Sequence, residues 1–453
     1  IHHNVKSLIV DSASMERILL VADYPNLTEL KFFNFNHKVV SRYFTDQSPF
    51  RRIFQQQIID LILVFKGDMN KISLKDYTID VYGYIMKFFE NLKHLSITGS
   101  YPYYFPPLEL HHLPLTTLFS STLDKLCIHV MRFEDCLALL DGRLKQLKTL
   151  IVDICCIEYP SWRVYNMDDL PNLKYFSLTS VDYFTNKYDT GILPLFRRMS
   201  NLEELNLYIM AKDRTTFLDG THIYNEILVH MPRLQIFNFY ISTLVGIDPL
   251  VRHLSKDDIQ RTLSNNIKYQ QVDCIVNYEY NFVKCHVFSL PFMFEDLYNI
   301  GNTFPNVIFS HVRRLSVIDI VPFNHEFFNR IACSFPLLKD LGVVNFNPQS
   351  SISDERNSND NQLYLIVKLN YLISLYLVDV HIDYVDQFLN ERKTHLPRLT
   401  ELTIDYDHLT IVTDNFTRDT TRLNCINVKE LNSYNTRVQQ SKDFYVYFPL
   451  LKP

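Results

Sequence analysis

Glycine is scarce in this chain, with 9 residues in 453, where an average protein carries roughly 7%. No two of the nine lie close enough to form the glycine-rich loop whose backbone N–H groups cradle a phosphate. A nucleotide site of that kind is excluded. Trp occurs once, at Trp162, whereas Tyr and Phe together number 61 (28 and 33), so the interior must be packed with single rings. Charge of one sign is also missing: 45 basic against 50 acidic residues leave a net of −5. A duplex-binding protein needs a basic face, so no nucleic-acid partner is expected.

Other absences narrow the class further. The eight cysteines contain no C-x-x-C pair, which argues against zinc and thioredoxin-type chemistry. Buried thiols in a reducing compartment are the expectation, with a cytoplasmic or nuclear location. The longest apolar run, Ile58–Phe65, contains Asp60 and falls well short of the ~18 residues of a membrane span. No membrane partner is expected. The chain starts at Ile1 without Met or a secretory leader, which reads as a fragment of something longer.

What is present is a recurring phrase. LPNLKYFSL (170–178) has relatives at 24–32 (YPNLTELKF), 199–207 (MSNLEELNL), 231–239 (MPRLQIFNF), 335–343 (FPLLKDLGV) and 396–404 (LPRLTELTI). Apolar residues take the first, fourth, seventh and ninth places, and all but one copy have Pro second. Proline ends a helix at the residue before it, and the alternation that follows suits a strand. The phrase is therefore a junction of helix stop, turn and strand.

Aligning on it gives a ladder of strand anchors: Leu8, Leu30, Ile62, Leu95, Leu126, Leu150, Phe176, Leu205 and Phe237, then Leu315, Leu341, Leu375, Leu402 and Ile426. Between anchors, apolar residues recur at helical spacing, as in Met15/Ile18/Leu19/Ala22, Ile192/Leu195/Phe196/Met199 and Phe328/Ile331/Ala332/Phe335. A strand–helix unit with one apolar side is stable only when stacked on its neighbours. The predicted fold is α/β: a solenoid of irregular βα repeats, parallel strands on a concave sheet and helices on the convex side. About 14 strands at ~4.8 Å spacing give an inner arc on the order of 65 Å. Residues 1–453 read as one such array, with N-terminal repeats over 1–240, an irregular insertion over 241–311, and C-terminal repeats over 312–453. The insertion should hold a helix near Ser255–Leu263 and a hairpin over Tyr269–Leu290. Centring its turn on Glu279-Tyr280 puts Cys274 opposite Cys285, both reduced. The polar stretch 347–362 should be a mobile loop.

The L-x-x-L-x-L ladder resembles the leucine-rich-repeat superfamily. The segments IHHNVKSLIVDSASMERILLVADYPNLTELKFFNF, FSSTLDKLCIHVMRFEDCLALLDGRLKQLKTLIV and CHVFSLPF look most similar to the rotifer-type F-box leucine-rich-repeat-like family. The likeness implies the target-reading half of a ubiquitin ligase receptor. The adaptor would be reached only through an F-box, a helical segment of about 45 residues in that family, and none is readable in these 453 residues. A free-standing repeat receptor or inhibitor is the alternative. The superfamily's frequent polar residue after the strand survives cleanly only at Cys155; Val181, Met210, Ser242 and Asp407 stand at the matching places. Helix and aromatic packing is therefore expected to replace a polar ladder.

No catalytic constellation can be assembled. His325-Glu326 lacks the second histidine of a zinc helix and precedes Phe327 and Phe328, which mark a core helix. His2-His3 and His111-His112 are adjacent and diverge on a regular element. Asn26 and Asn415 match glycosylation acceptors, but Asn26 sits inside the junction phrase. Arg197-Arg198 reads as a solvated doublet at a helix end. The chain is expected not to be an enzyme and to need no cofactor or metal. Its site should be a protein-binding face made of residues that alternate with the buried leucines: Tyr175, Ser177, Glu204, Asn206, Tyr208, Asn238, Tyr240, Tyr376, Glu401 and Asp405. Tyr175, Tyr208 and Tyr240 would form an exposed docking stripe. Truncating Leu205 should then cost far more stability than truncating Tyr208.

Overall fold

The computed structural model describes residues 2–35, 38–65, 73–99, 106–113, 120–157, 168–180, 184–246, 255–279, 281–349, 366–433 and 442–451. The protein is α/β, with large, mostly parallel sheets, and it divides into two compact units. The first comprises Ile1–Arg214 and Thr221–Ile241, the second Thr215–Gly220 and Ser242–Pro453.

In the first unit the strands are β1 (Ser7–Asp11), β2 (Glu29–Phe35), β3 (Asp60–Phe65), β4 (His94–Gly99), β5 (Lys125–Arg132), β6 (Thr149–Cys156), β7 (Tyr175–Thr179) and β8 (Glu204–Arg214). Strand β9 (Ile236–Gly246) runs on into the second. They lie side by side in sequence order, and the pairings from β1 to β8 are parallel. The anchors face each other rung by rung: Leu126 opposite Leu150, Leu150 opposite Phe176, Phe176 opposite Leu205. These side chains and Phe237 are fully buried.

The second unit has the antiparallel hairpin β10 (Gln271–Tyr278) and β11 (Phe282–Leu290). A separate parallel sheet follows, made of β12 (Asp296–Ile300), β13 (Arg314–Ile318), β14 (Asp340–Val344), β16 (Ser374–Leu377), β18 (Glu401–Ile404) and β19 (Glu430–Asn432) in that spatial order. Two short strands, β15 (Val367–Lys368) and β17 (Thr394–His395), pair with each other. The expected insertion helix forms as Lys256–Asn266. Ser255 caps its first turn and Asp258 bonds back to the Ser255 N–H, a capping box.

The junction phrase folds the same way in every copy. The N–H of its fourth residue donates to the carbonyl of its first: Leu27 to Tyr24, Leu173 to Leu170, Leu202 to Met199, Leu234 to Met231, Leu338 to Phe335 and Leu399 to Leu396. Proline second is the residue such a turn favours, because its fixed φ suits that place. The carbonyl two residues before each anchor then accepts from two successive N–H groups of the next rung. Lys148 and Thr149, for example, donate to Asp124 O at 2.8 and 3.0 Å, and Arg313 and Arg314 donate to Glu295 O at the same distances.

Four expectations need correction. The third anchor is Leu61, opposite Leu30, and not Ile62, whose side chain takes the other face; within the run DLILVF either residue could seed the alternation. The last anchor is Leu431, opposite Leu402; Ile426 closes the helix Asp419–Cys425 instead. The ladder resumes one rung earlier than expected, at Leu297 opposite Leu315. In the hairpin Cys274 pairs with Val287 and Cys285 with Val276, so the two buried thiols are diagonal neighbours rather than opposite. From residue 350 onward, the polar loop expected at 347–362 lies outside the described residues.

The polar ladder that the sequence appeared to lack exists in a different place. The junction asparagine four residues before the anchor donates its side-chain N–H to the carbonyl five residues before the preceding anchor. Asn26 reaches His3 O, Asn91 Gln56 O, Asn172 Lys145 O, Asn201 Pro171 O and Asn427 Pro397 O, at 2.6–3.2 Å. Aromatic packing operates beside it, as in the first-unit cluster of Phe44 against Phe32, Phe54, Phe88 and Phe89. Since each asparagine contributes one exposed neutral hydrogen bond, Asn201→Ala should cost about 0.5–1.5 kcal/mol. Urea denaturation checks this; no loss would mean that the ladder is decorative.

Candidate strand-face site

The residues alternating with the anchors were expected to form the site, and the structure sorts them into three groups. Tyr175, Ser177, Glu204, Asn206 and Asn238 are half-buried on one face of β7, β8 and β9. They are joined across the strands: Asn238 Nδ2 donates to Asn206 Oδ1 at 2.7 Å, and Asn206 Nδ2 donates to Tyr175 Oη at 2.6 Å and to Glu204 Oε1 at 3.2 Å. Burial and the nearby Glu204 carboxylate raise the Tyr175 phenol pKa, so it stays neutral. This relay fixes three side chains over three strands and presents amide and hydroxyl groups at the surface.

Tyr208 and Tyr240 are corrections. Both are fully buried, stacked ring on ring with centroids 4.5 Å apart, so the three-tyrosine docking stripe does not exist. Position in the alternation gave the face of these rings but not their depth. In the second unit Tyr376 and Glu401 are exposed. Asp405 is instead engaged in structure: its carboxylate accepts from Asp407 N and His408 N, capping the helix Tyr406–Val412. Its capping role was legible, since Asp precedes an apolar-periodic run.

Other sequence candidates are structural. The helix His325–Ser334 is capped by Asn324 and buries Phe327, Phe328 and Ile331. His111 Nδ1 lies 2.7 Å from the buried Asp135 carboxylate. Arg198 is not solvated as expected but buried, donating to Asp168 O and Leu140 O at 2.8 and 2.6 Å. Burial lowers its pKa, countered by nearby carboxylates.

One pairing escaped the sequence reading altogether. His129 Nε2 lies 2.8 Å from Cys155 Sγ, brought together by the β5–β6 register across 26 residues. Burial pushes His129 down to about 4, so the imidazole is neutral near pH 7. Among the described residues no group of three or more His, Cys, Asp or Glu side chains could hold a metal ion. No helix among them is long and apolar enough to cross a membrane.

Two buried histidines set a pH dependence. His129 is lowered to about 4 by burial, and His286 to about 3 by burial and then by Lys284. The unfolded chain takes up these protons near pH 6.5, while the folded one does not. Stability is therefore complete above pH 6.5 and falls as pH drops toward 4. Asp340, raised to about 6 chiefly by burial, acts with the opposite sign in the same window. The expected result is a difference between chains: His129→Gln should lose less stability than the parent between pH 7 and 4.5, by on the order of 2–3 kcal/mol. Parallel pH profiles in urea melts would show that His129 protonates as readily folded as unfolded.

In comparisons with known proteins the chain matches no family model and no curated protein.

Proposed function

We propose that this protein is a non-catalytic protein-recognition scaffold of the leucine-rich-repeat kind, the substrate-binding half of an F-box-type ubiquitin ligase receptor. On this reading the βα units continue as a solenoid and the strand face is concave. Its target is a protein, and the ligase adaptor is reached only through an F-box outside these 453 residues. The observation that supports it is the repetition of one hydrogen-bonded junction at successive parallel strands, which holds a row of side chains at fixed spacing. The cross-strand relay Tyr175–Asn206–Asn238 is such a row, with amide and phenol groups suited to a polypeptide and without the cations that a phosphate backbone would call for. A cytoplasmic or nuclear compartment goes with this reading, and eight free thiols accord with it.

The test is site-specific photo-crosslinking in cell extract. A photoreactive residue at Ser177 should form adducts with polypeptides, well above those from the same residue at the exposed Val21. Equal yields at both positions would overturn strand-face recognition. The ligase role is tested separately on the complete reading frame: an F-box and a co-purifying ligase adaptor are expected. Their absence would leave a free-standing receptor.

A further inference from the structure

Single exposed apolar side chains are ordinary on a protein surface. In the second unit, however, two of them are held on neighbouring rungs. Val321, 55% exposed, follows β13, and Phe346, 65% exposed, follows β14. Asp319 Oδ1 accepts from Val321 N at 3.0 Å, and Val321 O accepts from Asn345 Nδ2 at 2.9 Å and Asn302 Nδ2 at 3.2 Å. Phe346 stands between two residues fixed in the same way. Asn345 is buried and donates its backbone N–H to Asp379 O. Asn347 donates its Nδ2 to Ile320 O at 2.7 Å and its backbone N–H to Asn345 Oδ1 at 3.0 Å. Just upstream, the half-buried Ile318 and Val344 lie opposite each other in the β13–β14 register. A free loop would let such a pair turn inward, away from water. Here both backbones are pinned, so the exposure is built into the fold.

The charge around the pair has one sign. Three connecting segments meet there, 319–326, 345–349 and 378–383, joined by the bonds of Asn345 to Val321 O and Asp379 O and by Gln349 N donating to Asp383 Oδ2 at 3.0 Å. Together they contain Asp319, Glu326, Asp379 and Asp383 and no lysine or arginine. Asp319 and Asp383 spend their carboxylates on backbone N–H groups. Glu326 and Asp379 are exposed, and among the described residues their carboxylates make no ion pair or hydrogen bond. An apolar pair beside uncompensated carboxylates complements a polypeptide that carries apolar and cationic side chains. The same charge repels a nucleic-acid backbone and the anionic surface of a cytoplasmic membrane leaflet.

We propose that Val321 and Phe346 anchor a docking surface for a basic amphipathic segment of a partner protein. The segment's apolar side chains cover the pair, and its lysines or arginines face Glu326 and Asp379. This rests on the protein-recognition reading above and names the chemistry of one contact. The test is fluorescence anisotropy of the whole chain with a labelled peptide of leucine and lysine in amphipathic order. Two control peptides carry glutamate in place of lysine or serine in place of leucine. The leucine–lysine peptide should bind, more weakly as salt rises, and neither control should. Phe346→Ser and Val321→Ser should each weaken binding by about tenfold or more, the loss expected of an apolar anchor. Glu326→Gln combined with Asp379→Asn should weaken it at least threefold. Ile308→Ser, which removes a side chain 69% exposed just upstream of β13, should change it less than twofold. Circular dichroism establishes that each variant is folded. Failure of the parent to bind, Phe346→Ser within twofold of it, equal binding of the glutamate peptide, or an equal loss from Ile308→Ser would each overturn the docking surface. So would binding of the parent to phosphatidylcholine vesicles that Phe346→Ser abolishes, which would assign the pair to a lipid surface. Adducts at Ser177 without peptide binding would sink this inference and leave the scaffold reading standing; failure of both would remove both.

Discussion

Leu205→Ala should cost about 2–5 kcal/mol, and Tyr208→Ala should cost as much, not far less. Both side chains are fully buried, and Tyr208 lies stacked on Tyr240. Truncating either removes its burial and leaves a cavity that the neighbouring strands, held by their own ladder bonds, cannot collapse into. The half-exposed Ser177 on the same face as Tyr208 provides the contrast, since Ser177→Ala should stay within about 0.5 kcal/mol. Urea melts of the three variants decide the matter, provided that the slope with urea is unchanged. A mild Tyr208→Ala beside a severe Leu205→Ala would restore the exposed stripe that the alternation alone suggested.

Gly220→Ala should be the most damaging single-methyl change. A Cβ there would lie 2.3 Å from Thr262 O and 2.4 Å from Leu263 N, both backbone atoms of the helix Lys256–Asn266. The approach is held by Gly220 N donating to Thr262 Oγ1 at 3.0 Å. A flexible side chain could swing away from a new methyl, but helix backbone moves only as a body, and the shift would be felt by the buried Ile259 and Leu263. Overpacking of this kind costs about 1–3 kcal/mol, sometimes more. The expected readout is a lowered urea midpoint for Gly220→Ala with little change for Gly246→Ala, where a Cβ would meet nothing within 4 Å. Equal midpoints for all three chains would mean that the helix is free to retreat.

Much of the local structure was legible because one physical rule wrote it repeatedly. Leucine at alternate places with proline upstream specifies a turn and a strand, and that combination located most rungs. The slip at Ile62 occurred where DLILVF offers apolar residues on both faces, leaving the alternation without a polar residue to fix its phase. Leu297 was missed because the proline before it, Pro291, stands one place earlier than in the junction phrase, and the strand follows a hairpin instead of a helix. The site was less legible. Alternation assigned faces to Tyr208 and Tyr240 but not depth, which depends on the rings stacking across strands. The His129–Cys155 contact and the pairing of Arg314 with Asp296 depend on register between segments 18 or more residues apart. No local pattern encodes that.

The asparagine ladder has a bearing on how such a chain can diverge. In the first unit the distance between anchors ranges from 22 residues (Leu8 to Leu30) to 34 (Leu61 to Leu95), yet the amide bonds at both junctions span the same relative positions. Length changes are therefore absorbed entirely in the connecting segments, upstream of the asparagine. Insertions there can remodel one surface freely while the strand-face residues keep their coordinates relative to one another. A descendant could acquire a new surface over its connecting segments while the strand-face side chains stay in place, and could revise that face by single substitutions with no change in length.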